Sequence, residues 1–197
     1  MGKIKYLREV EDLLIKTPVV RFSSIERIVN KKNNIKQYAK QLVRNLIKKG
    51  KIKKLVKGFY TYYDDPSLTV FCFKPAYLGL QDALSFHDLW EQETIPIIIT
   101  SNNVRPGNRK VLETNIQIRR VNKKYLFGFD YFKEGDFYFP YSDIEKTLID
   151  MVYFKERLSS EAIRNFKNKI NLKKLKKYLK IYPERIKKRI LKLLESG

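Results

Sequence analysis

The sequence predicts an α+β protein, in which a helical N-terminal region with a β-hairpin precedes a second α/β domain with a small mixed sheet and a helical C-terminus. Two observations predict this order. Apolar residues recur at helical spacing in the first fifty residues or so and again after residue 155, whereas short β-branched and aromatic runs dominate between residues 94 and 140. The expected boundaries are a first domain over 1–63, a connection over 64–75 and a second domain over 76–197.

The charge of the chain is unevenly distributed. Residues 1–63 hold 17 Lys and Arg against 4 Asp and Glu, residues 64–154 hold 10 against 13, and residues 155–197 hold 15 against 4. Two basic ends therefore flank a mildly acidic middle, and clustered positive charge of this kind is typical of proteins that bind polyanions. The alternative is that lysine merely fills exposed faces, which weighs more for the C-terminal end than for the N-terminal end.

Composition also excludes several classes of site. A single cysteine, Cys72, excludes an internal disulfide and a cysteine-rich zinc site, and a single histidine, His87, makes a histidine-based metal site unexpected. No run of about 18 apolar residues and no secretory signal is present. We therefore expect a cytoplasmic protein that does not bind a membrane and needs no cofactor or metal.

Three helices are expected in the first fifty residues. The first covers 5–16, with apolar residues on one face. Ser23 and Glu26 have the spacing of a capping box, which opens a second helix. The third runs from about Ile35 to Lys49, and Gly50 follows where a helix often ends in glycine.

The third helix places cations along one outward edge. The polar side chains of this edge and the positions beside it are Lys36, Gln37, Lys40, Gln41, Arg44 and Lys48. Like charges four residues apart repel one another on a helix, and a phosphate backbone would relieve that repulsion. Glutamine can pair with adenine and arginine with guanine in the major groove. The pattern favours a helix that binds DNA.

A hairpin follows this helix. Ile52, Leu55 and Phe59 alternate with lysines, and Lys57-Gly58 forms the turn. A short apolar piece between the first two helices, at Val19, Val20 and Phe22, can form a β-bridge. The order of helix, β-bridge, helix, helix and hairpin is that of a winged helix-turn-helix, whose third helix enters the major groove. The residues predicted to contact DNA are Ser24, Lys36, Gln37, Lys40, Gln41, Arg44, Lys48, Lys53, Lys54 and Lys57.

The middle of the chain predicts a mixture of strands and helices. The predicted segments are a strand or extended linker over 68–73, a helix beginning near Tyr77 and reaching Leu89, strands over 94–100, 114–121, 125–129 and 136–140, a polar loop over 101–110, and a helix that Ser142 and Glu145 open as a capping box. We expect His87 to be a hydrogen-bonded packing residue rather than a catalyst, and Asp150 to contact the neighbouring strand loop.

Three of these segments resemble one protein family. The stretch "AYLGLQDALSFHDL", the strand "PIIIT" with its arginine-containing loop, and "YSDIEKTLID" are similar to the AbiEi-type antitoxin and transcriptional-regulator family. The resemblance covers roughly residues 5 to 155, and Asp88 stands where that family commonly has glycine. It implies a winged helix paired with a second α/β domain, in a DNA-binding repressor of its own operon. It also implies an antitoxin of a type IV toxin–antitoxin system for phage defence, encoded beside a nucleotidyltransferase-like toxin.

The C-terminal helices combine an apolar stripe with many lysines. The stripe consists of Leu172, Leu175, Leu179, Ile186, Ile190, Leu191 and Leu194. We expect it to pack on the second domain, and the outward lysines to offer an accessory contact to DNA.

The leading prediction is therefore a non-enzymatic, sequence-specific regulator that binds double-stranded operator DNA, with or without an inverted repeat, as a monomer or weak dimer. Two alternatives remain open. A metal-dependent nuclease would need clustered acids on strands, and an RNA-binding module would need exposed stacking aromatics such as Tyr60, Tyr62 and Tyr63.

Overall fold

The computed structural model describes the backbone of residues 2–29 and 36–195, and the side chains of residues 6–29 and 37–195. The expected start of the third helix at Ile35 lies outside these ranges. The chain has an α+β fold and divides into two compact units. The first unit comprises Met1–Cys72 and Lys110–Thr114, and the second comprises Phe73–Arg109 and Asn115–Gly197.

The first unit contains three helices and a small sheet. Its elements are α1 (Gly2–Lys16), β1 (Val20–Arg21), α2 (Phe22–Val29), α3 (Lys36–Lys48), β2 (Lys53–Val56) and β3 (Phe59–Thr61). The strands form an antiparallel sheet in the order β1-β3-β2. The hairpin turn at Lys57-Gly58 was predicted correctly, and Gly58 has a φ of 80°, which a glycine adopts without strain.

The core of the first unit joins all three helices to the sheet. Ala39, Leu42, Val43 and Leu46 of α3 are buried together with residues of α1 and α2, so the apolar residues that recur at helical spacing in this segment form the inward face of α3. The predicted capping box of Ser23 and Glu26 is wrong, because α2 already begins at Phe22 and Ser23 lies inside its first turn.

Residues 66–73 follow the hairpin and form a 3₁₀ helix. The predicted strand or extended linker over 68–73 is therefore wrong. Leu68 and Val70 are buried, and the continuous apolar run that resembled a strand reflects burial rather than β structure. Such short apolar runs do not distinguish a strand from a buried helical turn.

The second unit is built on a mixed six-stranded sheet in the order β6-β7-β5-β4-β9-β8. Its strands are β4 (Ala76–Leu78), β5 (Ile97–Thr100), β6 (Gly107–Val111), β7 (Thr114–Arg120), β8 (Phe129–Glu134) and β9 (Phe137–Ser142). Its helices are α4 (Gln81–Phe86), α5 (Ile144–Tyr153), α6 (Ser160–Lys169), α7 (Leu172–Leu179) and α8 (Glu184–Glu195). None of the helices within 2–29 and 36–195 has the length and apolar character needed to cross a membrane.

Several predicted segments of this unit need correction. Strand β4 occupies the start of the predicted helix near Tyr77, and β6 occupies part of the predicted polar loop. The predicted strand over 125–129 is wrong, because strand β8 begins only at Phe129. Helix α4 ends before Asp88, whose φ of 51° lies in the left-handed region that favours glycine. This conformation explains why a glycine suits that position.

The N-terminus of α5 is capped differently from the prediction. Asp143, rather than Ser142, accepts a hydrogen bond from the backbone N–H of Lys146. Glu145 does not reach back to form a capping box but accepts a hydrogen bond of 2.7 Å from the backbone N–H of Asn171 and pairs with Lys174. Lys174 also pairs with Asp143. The two carboxylates, Asp143 and Glu145, thus attach α7 to the start of α5.

The core of the second unit contains a buried ion pair. Lys146 and Asp150, one turn apart on α5, are both fully buried and contact each other. The Tyr77 hydroxyl donates to the other oxygen of Asp150 at 2.7 Å. Burial lowers the pKa of Lys146 and raises that of Asp150, although the attraction within the pair opposes both shifts. The contact between Asp150 and β4 agrees with the expectation for this residue.

The C-terminal helices complete this core. Leu175, Leu179, Ile186 and Ile190 are buried in the same cluster as Leu148 of α5, which confirms that the stripe packs on the second domain. Two members of the stripe were assigned wrongly, since Leu172 and Leu191 are 55% and 40% exposed.

Candidate nucleic-acid interface

The outward face of α3 is polar and accessible. Gln37, Lys40, Gln41, Arg44 and Lys48 are all exposed, while the opposite face of the helix lies in the core. The sequence produces this arrangement because the apolar residues repeat every three or four positions and leave one edge to the cations. The side chain of Lys36 lies outside the described side chains.

This face forms one wall of a groove. The groove has a volume of about 410 Å³ and lies between α3 and the small sheet. Its lining residues are Phe22, Gln37, Lys40, Gln41, Val43, Arg44, Ile47, Lys54 and Tyr60. Five of the ten predicted DNA-contacting residues therefore line one concave surface, where an elongated polyanion could contact them together.

The cations of α3 in this groove have no acidic partner among the described side chains. Lys40 and Arg44 form no ion pair or hydrogen bond through their side chains with any residue within 6–29 and 37–195. They stand four residues apart on the same helix, and their mutual repulsion is uncompensated. A bound phosphate group would supply the missing negative charge.

The glutamines can offer hydrogen bonds at the same surface. The Gln41 side-chain amide donates to the side-chain oxygen Oδ1 of Asn45 at 3.1 Å, a contact one helical turn away. This bond uses one of the two amide hydrogens and leaves the second hydrogen and the carbonyl oxygen for a ligand. A bidentate contact with adenine needs one donor and one acceptor, and Gln41 retains both.

The lysines of the hairpin differ in their exposure and in their ion pairing. Lys54 and Lys57 are exposed, whereas Lys53 is half-buried and its ammonium lies 2.8 Å from the Asp64 carboxylate. A phosphate contact by Lys53 would have to replace this ion pair. Ser24 is half-buried within α2 and does not line the groove.

Four groove residues were absent from the sequence prediction, namely Phe22, Val43, Ile47 and Tyr60. Ile47 could have been identified from the sequence, because it lies off the inward apolar face of α3. In the structure its side chain is 39% exposed, on the same edge as the cations. Exposed apolar groups can contact the methyl group of thymine. The positions of Phe22 and Tyr60 depend on the pairing of β1 with β3, which local periodicity does not encode.

The tyrosines of the hairpin are occupied to different degrees. Tyr60 packs against the core and its burial raises its pKa. The Tyr63 hydroxyl donates to the Ile15 carbonyl, and only Tyr62 of the three is exposed, at 51%. Two of the three aromatics that an RNA-binding surface would use are therefore engaged in packing or hydrogen bonding within the first unit.

The prominent residues of the second unit have structural contacts. The His87 ring nitrogen Nε2 lies 2.6 Å from the Ser142 carbonyl oxygen, which agrees with the expected packing role. Within the described residues, no group of three or more His, Cys, Asp or Glu side chains is arranged to hold a metal ion.

The fold is similar to that of a solved protein structure. No protein-family model matches the chain, and no curated protein matches it. Among solved structures, the crystal structure of the RV2827C protein from Mycobacterium tuberculosis is similar, with a TM-score of 0.62 and 13% identity. The likeness covers 98% of this chain and 77% of that one, and at this identity it concerns the fold alone.

Proposed function

We propose that residues 1–63 are a winged helix-turn-helix that binds double-stranded DNA, with α3 as the helix that enters the major groove and the β2–β3 hairpin as the wing. The observation that carries the proposal is the groove between α3 and the small sheet, where unpaired cations and glutamines meet. In winged helices the third helix and the wing contact the duplex together. The order of elements in the first unit supports this assignment.

The proposed contacts fall into two kinds. Lys40, Lys48, Lys54 and Lys57 bind phosphates and fix the register of the protein on the duplex. Gln37, Gln41 and Arg44 read base edges, because their side chains present paired hydrogen-bonding groups. The protein is accordingly a sequence-specific regulator that acts in the cytoplasm as a monomer or weak dimer and needs no catalytic step.

The resemblance of three segments to the AbiEi-type family supports a more specific role. In the structure these segments form β4 with α4, β5, and the junction of β9 with α5. We extend the proposal to an autorepressor and antitoxin whose operon encodes a nucleotidyltransferase-like toxin. Repression of a reporter by the protein from its own upstream region, together with rescue of cells that express the neighbouring gene, tests this role.

Salt dependence of DNA binding tests the underlying activity. With about six phosphates neutralised, log affinity should fall against log salt with a slope of roughly −5. Fluorescence anisotropy with labelled duplexes, from 50 to 300 mM salt, measures the slope. A slope near zero contradicts the proposal, tighter binding of single-stranded RNA favours an RNA-binding module, and magnesium-dependent cleavage of the duplex favours a nuclease.

A further inference from the structure

We infer that a cationic cavity in the second unit binds a small molecule that carries a diphosphate group and a flat ring, the chemistry of a nucleoside diphosphate. The cavity lies beside the end of α5 and the first turns of α8 and has a volume of about 440 Å³. This volume is within the usual range of small-molecule sites. Its lining residues are Val152, Tyr153, Lys155, Arg185, Ile186 and Arg189.

Three positive residues, all exposed, line this cavity. Arg185 and Arg189 are one helical turn apart on α8, and Lys155 follows α5. Among residues 6–29 and 37–195, none of the three forms a side-chain hydrogen bond or ion pair. Like charges one turn apart destabilise a helix, so an anion that bridges the two guanidinium groups would remove a repulsion as well as form new bonds.

The neighbouring carboxylates are engaged elsewhere. Glu156 follows Lys155 in the chain, but its two oxygens accept hydrogen bonds from Arg119 and Gln81. Glu184 precedes Arg185, but it pairs with Lys187 at 2.6 Å. The cavity thus keeps its positive charge although acidic residues adjoin it in sequence. Paired arginines are suited to phosphate because each guanidinium presents a fork of N–H donors.

Lys155 occupies a position that ordinarily favours glycine. The chain leaves α5 through two backbone hydrogen bonds, from Glu156 N to Met151 O at 2.8 Å and from Lys155 N to Val152 O at 3.2 Å. This is the pattern of a Schellman motif, and Lys155 has the left-handed φ of 59° that the motif requires. A lysine there contributes nothing to the turn, but it adds a third cation to the cavity.

The remaining wall suits the organic part of the ligand. Val152, Ile186 and Tyr153 form the rest of the lining, although Val152 and Ile186 are only 3% and 7% exposed and Tyr153 offers most of the apolar surface. The Tyr153 ring is held in place by edge contacts with Tyr125 and Phe154, at centroid distances of 5.4 and 5.1 Å. A fixed aromatic ring beside a phosphate site is suited to contact a nucleobase. The cavity therefore combines a cationic subsite, which would bind the phosphates, with an aromatic subsite.

Calorimetric titration of the full-length protein in the absence of DNA tests this inference independently of the proposed DNA binding. The probes are inorganic pyrophosphate, ADP and adenosine at low salt. We expect ADP and pyrophosphate to bind, with ADP the tighter, and adenosine not to bind. The inference is overturned if neither phosphate compound binds at millimolar concentration, or if adenosine binds as well as ADP.

Matched variants locate the binding. Arg185→Gln/Arg189→Gln should weaken ADP binding by about 100-fold, since each charged hydrogen-bonding partner contributes about tenfold or more. The control Lys173→Gln/Lys177→Gln removes two exposed charges at the same spacing on α7 and should change affinity less than about twofold. Equal losses in the two variants would show general charge attraction and overturn the site.

A third variant separates binding from folding. Lys155→Gly removes the cation but places glycine where the backbone favours it, so the melting temperature should not fall. We expect ADP affinity to drop about tenfold, and unchanged affinity would contradict the inference. If Arg185→Gln/Arg189→Gln weakens duplex binding more than ADP binding, the cations contact a nucleic-acid backbone instead and the proposed ligand is wrong.

Discussion

Helices α3 and α7 are both rich in lysine, yet they differ in what surrounds their cations. Each buries an apolar face, α3 through Leu42 and Leu46 and α7 through Leu175 and Leu179. Lys40 and Arg44 of α3 meet the small sheet across a groove and have no acidic partner among the described residues. On α7, Lys174 instead bridges Asp143 and Glu145, at 3.0 and 3.1 Å.

The difference shows that basic composition does not by itself identify a binding surface. Lys174 attaches α7 to the start of α5, and the exposed lysines of α7 line neither the groove beside α3 nor the cavity beside α8. Unpaired cations on a concave surface, beside groups that can read bases, are a stronger indication. By this criterion we place the proposed binding surface on α3 rather than on α7.

The largest expected effect concerns the buried pair of Lys146 and Asp150. Asp150→Ala leaves the Lys146 ammonium buried without its partner, which should cost about 3–5 kcal/mol of unfolding free energy. Asp64→Ala, which removes the exposed partner of Lys53, is the control and should cost at most about 1 kcal/mol. Urea denaturation of both variants measures the difference, and similar losses would contradict the assignment of a buried pair.

The same variant should show a characteristic pH dependence. Burial lowers the pKa of Lys146 in the folded protein, so the unfolded chain binds more protons and stability increases as the pH rises. The loss caused by Asp150→Ala should therefore diminish between neutral pH and about pH 10. A loss that is constant over this range would mean that Lys146 is solvated.

The next effect distinguishes base reading from phosphate binding within the groove. Arg44→Gln should weaken binding to the preferred duplex by about 1–3 kcal/mol and change which sequence is preferred. Lys57→Gln should weaken all duplexes alike and make the salt slope shallower by about 1. Selection from a random duplex pool, followed by anisotropy, measures both. Identical behaviour of the two variants would contradict the proposal that α3 enters the major groove.

A smaller effect concerns the turn of the hairpin. Gly58 has a φ of 80°, and a side chain in the left-handed region costs about 1–2 kcal/mol. Gly58→Ala should therefore lower the unfolding free energy by that amount, as measured by urea denaturation. No atom lies within 4 Å of the added methyl group, so a much larger loss would indicate contacts that the structure does not show.

The smallest expected effect concerns the chemical reactivity of the Cys72 thiol rather than the stability of the protein. Burial raises the pKa of the Cys72 thiol to about 12, although Arg21 opposes the shift. Because the thiolate is the reactive form, native protein at pH 8 should react with iodoacetamide at least about 100-fold more slowly than protein in urea. Mass spectrometry over time measures both rates, and equal rates would contradict the burial of Cys72.

Local patterns predicted much of the first unit. Periodicity predicted the buried stripe of α3, and the Lys57-Gly58 turn predicted the β2–β3 hairpin, because both depend on residues a few positions apart. At the C-terminus, Ser159 and Asn171 cap α6 and α7 through their side chains, as local side-chain preference favours. In these segments the local preference and the final environment agree.

The remaining features depend on contacts between distant residues. Strand β4 is only three residues long and exists because it lies between β5 and β9 in the sheet. From its residue type, Lys146 would be expected on the surface of α5. Its burial requires Tyr77 and Asp150 to be in place. Lys155 and Arg185 are separated by 30 positions along the chain, so their convergence on one cavity could not be inferred from spacing.

Duplex binding by two matched double variants tests the central claim most directly. Lys40→Gln/Arg44→Gln removes a pair of exposed cations one turn apart on α3, and Lys173→Gln/Lys177→Gln removes an equivalent pair on α7. We predict that the α3 variant loses about 100-fold in affinity for the selected duplex, whereas the α7 variant loses less than about threefold. Equal losses, or a larger loss from α7, would contradict the assignment of the groove beside α3 as the DNA-binding surface.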